Sequence, residues 1–137
     1  NPAVALGLEA LDVQSALVVV SDLPLLTSAD VDHLIGAALE GDAVVLARSA
    51  DGTGTNAMLM TPADALDPQL GPGSLALHLA QAAVRGVSVE VVDHPGIALD
   101  VDTPEDLIEL VRREPTGATG RALENLGLAA PATGTPG

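Results

Sequence analysis

Five short apolar runs punctuate the chain: Ala16 to Ser21 (ALVVVS), Ala43 to Arg48 (AVVLAR), Asn56 to Thr61 (NAMLMT), Val87 to Val92 (VSVEVV) and Ile97 to Val101 (IALDV). Their length and β-branched content predict strands. The unbroken ALVVVS run predicts a central strand covered on both faces, as a parallel sheet requires. IALDV alternates instead. Ile97, Leu99 and Val101 would share one face, while Asp100 and Asp102 share the other with α-carbons roughly 7 Å apart.

Longer stretches between the runs read as helices. Asn1 as N-cap with Pro2 at the first helical position predicts a helix through about Asp12. Thr27 or Ser28 caps a second helix that reaches about Leu39 and is ended by Gly41. A third follows GPGS (Gly71 to Ser74), with Ser74 as its cap, and ends at Gly86. Asp93-His94-Pro95-Gly96 reads as a turn. Thr103 caps a last helix, with Pro104 first and Asp106 third, a capping box built on the shorter acid. Beyond Glu114 the chain turns to Gly, Pro, Thr and Ala. This predicts one folded domain over 1–113 and a flexible tail over 114–137, with at most a short helical stretch near Arg121 to Leu128. Strands alternating with helices imply an α/β layered fold with a mostly parallel sheet, in which ligands bind beyond the carboxyl ends of the strands.

Composition narrows the partners. With 137 residues, 47% of them hydrophobic, the chain has enough apolar material for a core. Nineteen acidic residues against five basic ones give a net charge of −14, which repels nucleic acid and anionic membrane surfaces. The absence of Phe, Tyr and Trp removes any platform for base stacking. Zero cysteines exclude disulfides and thiolate metal sites. No run approaches the roughly 18–20 apolar residues of a membrane span, and no signal-peptide pattern opens the chain, so a cytoplasmic protein is expected. The start at Asn1, without Met, predicts an N-terminally truncated fragment or processed product.

Three groups of residues then suggest chemistry. Asp22 follows ALVVVS, and Asp100 with Asp102 closes IALDV, so three acids could meet at one sheet edge. Converging carboxylates repel unless a cation neutralises them, and all-oxygen ligation suits Mg²⁺ or Mn²⁺ with phosphate ligands. Turn, strand-end and cap roles would equally explain the same acids. In DGTGT (Asp51 to Thr55), Gly52 and Gly54 allow close backbone approach, and Thr53 and Thr55 offer hydroxyls to a phosphate or carboxylate. A plain Gly/Thr hairpin reads the same way. In GPGSLALH, a Ser74 cap would leave helix N–H groups for an anion, with His78 one turn on. A structural cap and a structural histidine remain the simpler alternative. No nucleophile elbow and no Walker-type phosphate loop occurs, and there is no lysine.

Taken together, SDLPLL, DGTGTNAMLM, GPGSLALH and ALDVDTPEDL, in this order and spacing, resemble the 2-phospho-L-lactate or phosphoenolpyruvate guanylyltransferase family (CofC and FbiD) of coenzyme F-420 biosynthesis, over about residues 1 to 113. The resemblance implies a Rossmann-like, three-layer, GT-A-type nucleotidyltransferase fold. It also implies transfer of GMP from GTP to phosphoenolpyruvate or 2-phospho-L-lactate with release of pyrophosphate. Matched position by position, it makes Asp22, Asp100 and Asp102 the catalytic acids that bind Mg²⁺. Thr55, Gly71 and Ser74 become the residues that hold the acceptor's phosphate and carboxylate, with Thr53 and His78 beside them and Asn1 near the nucleotide. Members of the family carry an N-terminal strand and a basic phosphate-binding loop ahead of the matched segment, so the chain alone is an incomplete catalyst on this reading. Two alternatives stay open: another nucleotidyltransferase, of the molybdenum-cofactor guanylyl- or cytidylyltransferase type, and a non-catalytic truncated domain that binds a metal or small anion. A homodimer is one assembly open to either.

Overall fold

The structure, a computed structural model, describes residues 2–39 and 43–129, and the chain folds as two units, Asn1–Asp100 and Val101–Gly137. In the first unit the order is α1 (Pro2–Glu9), β1 (Ala16–Val19), α2 (Ser28–Leu39), β2 (Val44–Arg48), β3 (Thr55–Met60), α3 (Ser74–Arg85), β4 (Val89–Val92) and the single turn α4 (Pro95–Ala98). The strands form one sheet in the order β1-β3-β2-β4.

The sheet is mixed, not mostly parallel: β3 runs antiparallel to both β1 and β2, and only β2 with β4 is parallel. The reason lies in the connections. The short Gly/Thr loop after Arg48 turns the chain straight back as a hairpin, whereas a parallel neighbour needs a crossover of a dozen or more residues. β2 reaches its parallel neighbour β4 only after β3 and α3 have intervened. The ALVVVS run, expected at the centre, forms the four-residue edge strand β1, with only Ala16 fully buried.

Side chains alternate across the sheet and sort the core in two. Val44, Leu46, Met58 and Met60 meet Leu66, Leu75 and Ala82 on the α3 side. Val45, Ala47, Ala57 and Leu59 meet Leu23, Leu34 and Ile97 on the side of α2 and α4. Both inner strands are therefore buried on both faces, which explains why they read as unbroken apolar runs.

The IALDV segment is not a strand. Pro95 starts the turn α4, in which the His94 carbonyl accepts the N–H groups of Ile97 and Ala98 at 2.9 and 2.8 Å. Proline at this position carries a φ already suited to a helix, and that local preference overrides the alternating pattern. Ile97 and Leu99 are still buried, but by packing of a turn and an extended residue. The argument that Asp100 and Asp102 share a strand face falls with the strand. Boundaries shift elsewhere as well, with α1 ending at Glu9 and β4 starting at Val89.

The second unit holds α5 (Pro104–Arg112) and α6 (Gly117–Asn125). The expected capping box is present: Thr103 Oγ1 accepts the Asp106 N–H at 3.2 Å, and Asp106 Oδ2 accepts the Thr103 N–H at 2.9 Å. The segment expected as a tail carries the nine-residue helix α6, which starts before Arg121 and buries Leu123. The rest of that segment from 130 on lies outside the described residues. No helix among the described residues is long and apolar enough to cross a membrane.

Candidate functional site

Asp22 and Asp100 stand at one end of the first unit, with a carboxylate oxygen of each within 4.8 Å of the other. Asp22 is exposed and Asp100 half-buried, and among the described residues neither has an ion-pair partner. Two carboxylates this close favour a shared cation, and an all-oxygen donor set suits Mg²⁺ or Mn²⁺. Asp102 is the second residue of the second unit and is exposed. Only Val101 separates it from Asp100, so chain connectivity keeps the two α-carbons within about 7 Å. The Asp102 amide donates to Asp106 Oδ2 at 3.2 Å, which ties it to the α5 cap.

One residue that sequence reasoning missed holds Asp100. The pairing of β2 with β3 slips between Ala47 and Arg48, which face Ala57 and Thr55 and leave Asn56 as the extra residue of a bulge. Bulges re-aim side chains. The Asn56 amide donates to Ile97 O at 2.9 Å, Ala98 O at 3.1 Å and Asp100 Oδ1 at 3.2 Å. The available signal was a polar residue inside a run too apolar to leave an amide unsatisfied.

The turn carrying Asp100 is braced from α2. Asp30 Oδ2 accepts the Thr27 N–H and hydroxyl at 2.7 and 2.9 Å, and its Oδ1 lies 2.9 Å from His94 Nδ1. That last contact is close but off the hydrogen-bond direction, and among the described residues His94 Nδ1 has no hydrogen-bond partner. A Cβ on Gly96 would sit 2.2 Å from Asp30 Oδ2, so only glycine lets α4 approach this closely.

The second cluster joins the start of β3 to α3. Ser74 is not the cap: Gly73, at φ 75° and ψ 2°, fills that position without a side-chain bond. The Ser74 and Leu75 amides are already taken, by Gly71 O and Thr53 O at 3.1 Å each, so the helix start offers fewer N–H groups than a serine cap would. Ser74 Oγ instead accepts the Thr55 N–H at 2.8 Å. Thr55 Oγ1 lies 2.9 Å from His78 Nδ1, and the Gln69 N–H donates to His78 Nε2 at 3.0 Å. Thr55, Ser74 and His78 are all buried, and burial lowers the His78 pKa, so the ring is neutral. Gly71 sits beside them at φ 124°, a backbone region that excludes side chains.

Thr53 is turned to another task. Its hydroxyl donates to Asp51 Oδ2 at 2.9 Å, and its amide donates to Asp51 Oδ1 at 2.9 Å. The Ser49 hydroxyl, followed by the Thr53 amide and hydroxyl, holds the Asp51 carboxyl at about 2 against a usual 3.8. These bonds order the hairpin loop internally. Asn1 lies outside the described residues.

Comparison with known proteins shows what the chain is similar to. The family model described as "Guanylyl transferase CofC like" matches residues 1–135. A phosphoenolpyruvate guanylyltransferase of Sphaerobacter thermophilus is 43% identical over 103 residues, covering 75% of this chain and 49% of that protein. A 2-phospho-L-lactate guanylyltransferase of Methanothermobacter thermautotrophicus is 40% identical over 91 residues, covering 66% of this chain and 40% of that protein. A 3-phospho-D-glycerate guanylyltransferase of Phenylobacterium zucineum is 36% identical over 105 residues, covering 77% and 48%. The chain thus spans about half the length of the curated relatives it matches. With the family model matching nearly end to end, this chain belongs to the CofC-like guanylyl transferase family.

Proposed function

We propose that the protein transfers GMP from GTP to a small phosphorylated carboxylic acid, on a GT-A-type nucleotidyltransferase fold to which this chain contributes the metal and acceptor sites. The observation that carries the reading is the approach of Asp22 and Asp100 to within 4.8 Å in a chain of this family. Asp22, Asp100 and Asp102 would together hold Mg²⁺. That ion, when bound, neutralises charge on the triphosphate and on the departing pyrophosphate. An oxygen of the acceptor's own phosphate attacks the α-phosphorus of GTP, a P–O bond forms, the bond to the β-phosphate oxygen breaks, and pyrophosphate leaves. No protein nucleophile is needed, so the protein's work is positioning and charge compensation.

The named relatives act on phosphoenolpyruvate, 2-phospho-L-lactate and 3-phospho-D-glycerate, and these share a phosphate and a carboxylate on three carbons. Thr55, Gly71 and Ser74 are the residues we assign to those groups. The test is pyrophosphate release by the natural full-length protein with GTP, Mg²⁺ and each of the three acids in turn. Turnover with one acid is expected, together with loss on chelation, recovery on adding Mg²⁺, and a drop of about 100-fold or more in Asp100→Asn, about 2.7 kcal/mol. Silence with all three acids overturns the reading, and turnover with CTP in place of GTP moves it to the cytidylyltransferase type.

A further inference from the structure

His78 sits in a setting that decides where its proton is. The Gln69 backbone N–H points at Nε2 from 3.0 Å, and a backbone amide nitrogen can only donate. Nε2 must therefore present a lone pair. A neutral imidazole carries one N–H, which places the proton on Nδ1. Nδ1 is 2.9 Å from Thr55 Oγ1 and donates to it. The Thr55 hydroxyl, having accepted that bond, keeps its own proton to give away. Ser74 repeats the arrangement: its Oγ accepts the Thr55 N–H at 2.8 Å and retains its O–H.

Two hydroxyl protons are thus left unspent at one place. Among the described residues no acceptor takes either of them, although both side chains are 1% exposed. Buried donors without acceptors are rare and costly, so an acceptor from outside the chain belongs here. Two adjacent O–H donors suit one oxyanion group, because each forms a charge-assisted bond to it. The place is also right. Thr55 immediately precedes Asn56, whose amide reaches Asp100, so the donors and Asp100 are held from the same end of β3.

We propose that His78 is a positioning residue. Locked in the Nδ1–H tautomer by the Gln69 amide, it makes the Thr55 hydroxyl an obligate donor, and Thr55 and Ser74 together grip one oxyanion, phosphate or carboxylate, of the acceptor acid. The identity of that ligand rests on the function proposed above. The tautomer and the unspent protons do not.

The test uses the natural full-length protein and two replacements of opposite kind. His78→Asn restores an amide N–H₂ near the Nδ1 position and keeps a donor for Thr55. His78→Gln places its amide near Nε2, keeps an acceptor for the Gln69 N–H and loses the donor. We expect His78→Gln and Thr55→Val each to raise KM for the acid about tenfold, the weight of one hydrogen bond to a charged group, with KM for GTP unchanged. Combining these two should add little more, because both remove the same donor. His78→Asn should stay within about threefold of the native KM. Equal losses in the two His78 variants, or a loss in KM for GTP, would overturn the proposal.

Two readouts decide it without turnover. Long-range ¹⁵N–¹H spectra of the native protein should show His78 protonated at Nδ1 and bare at Nε2, and the reverse overturns it. Titration with inorganic phosphate should be weakened about tenfold by Thr55→Val. If the native protein transfers no guanylyl group, the function fails while these two measurements still uphold or overturn the role of His78.

Discussion

Asn56 concentrates more consequence than any other single side chain here. Its amide has two hydrogens and three acceptors, so one hydrogen is shared, and the longest contact, 3.2 Å, is the one to Asp100. Asn56→Ala takes the side-chain donor from the buried Ile97 carbonyl, leaves the Ala98 carbonyl with the Ala50 N–H alone, and removes the restraint on Asp100. A loss of about 2 kcal/mol in urea denaturation is expected, together with a higher Mg²⁺ concentration for half-maximal turnover. An unchanged Mg²⁺ dependence would show that Asn56 serves the fold alone. Nothing local announced this residue, because its partners lie 41 to 44 positions along the chain. Ser74 teaches the converse. Its place at a helix start was legible, but Gly73 took the cap because its left-handed backbone suits glycine, and that freed the Ser74 hydroxyl for Thr55.

Among elements, α4 shows most clearly where pattern fails. Ile97, Leu99 and Val101 alternate as a strand would, yet Pro95 and the contact with α2 fold the segment into a turn. A four-residue element has little pattern of its own, and burial from outside decides it. Gly96 is the contact point, since an added Cβ would lie 2.2 Å from Asp30 Oδ2. Gly96→Ala should therefore push α4 off α2, cost about 1–3 kcal/mol by overpacking, and displace Asp100 enough to reduce turnover. Thermal denaturation and the pyrophosphate assay measure both, and a variant with native stability would mean that Asp30 swings aside at no cost. The capping box of α5 behaved in the opposite way: Thr103, Pro104 and Asp106 specify it within four residues, and it formed as read.

At the scale of the whole molecule, charge is the dominant feature. A net −14 on 137 residues means self-repulsion that the described ion pairs, Arg48–Asp93, Arg85–Asp67 and Arg113–Glu109, offset only locally. Raising NaCl from about 10 mM to 1 M shortens the screening length from about 30 to 3 Å. The melting temperature should rise across that range, and a fall would mean that the surface pairs outweigh the repulsion.

What the sequence determined by itself were features whose causes are close along the chain or independent of position. These are the apolar runs that became β1 to β4, the helix start at Ser28, the α5 cap and the α/β class. Tertiary structure alone decided the mixed sheet, the edge position of β1, the helical turn at Pro95, the bond from Asn56 to Asp100 and the proton on His78. The physical reason is the same throughout. Periodicity and capping are local energies written into neighbouring residues, whereas strand order, register and hydrogen-bond partners across tens of residues are settled by which packing satisfies the most buried groups at once.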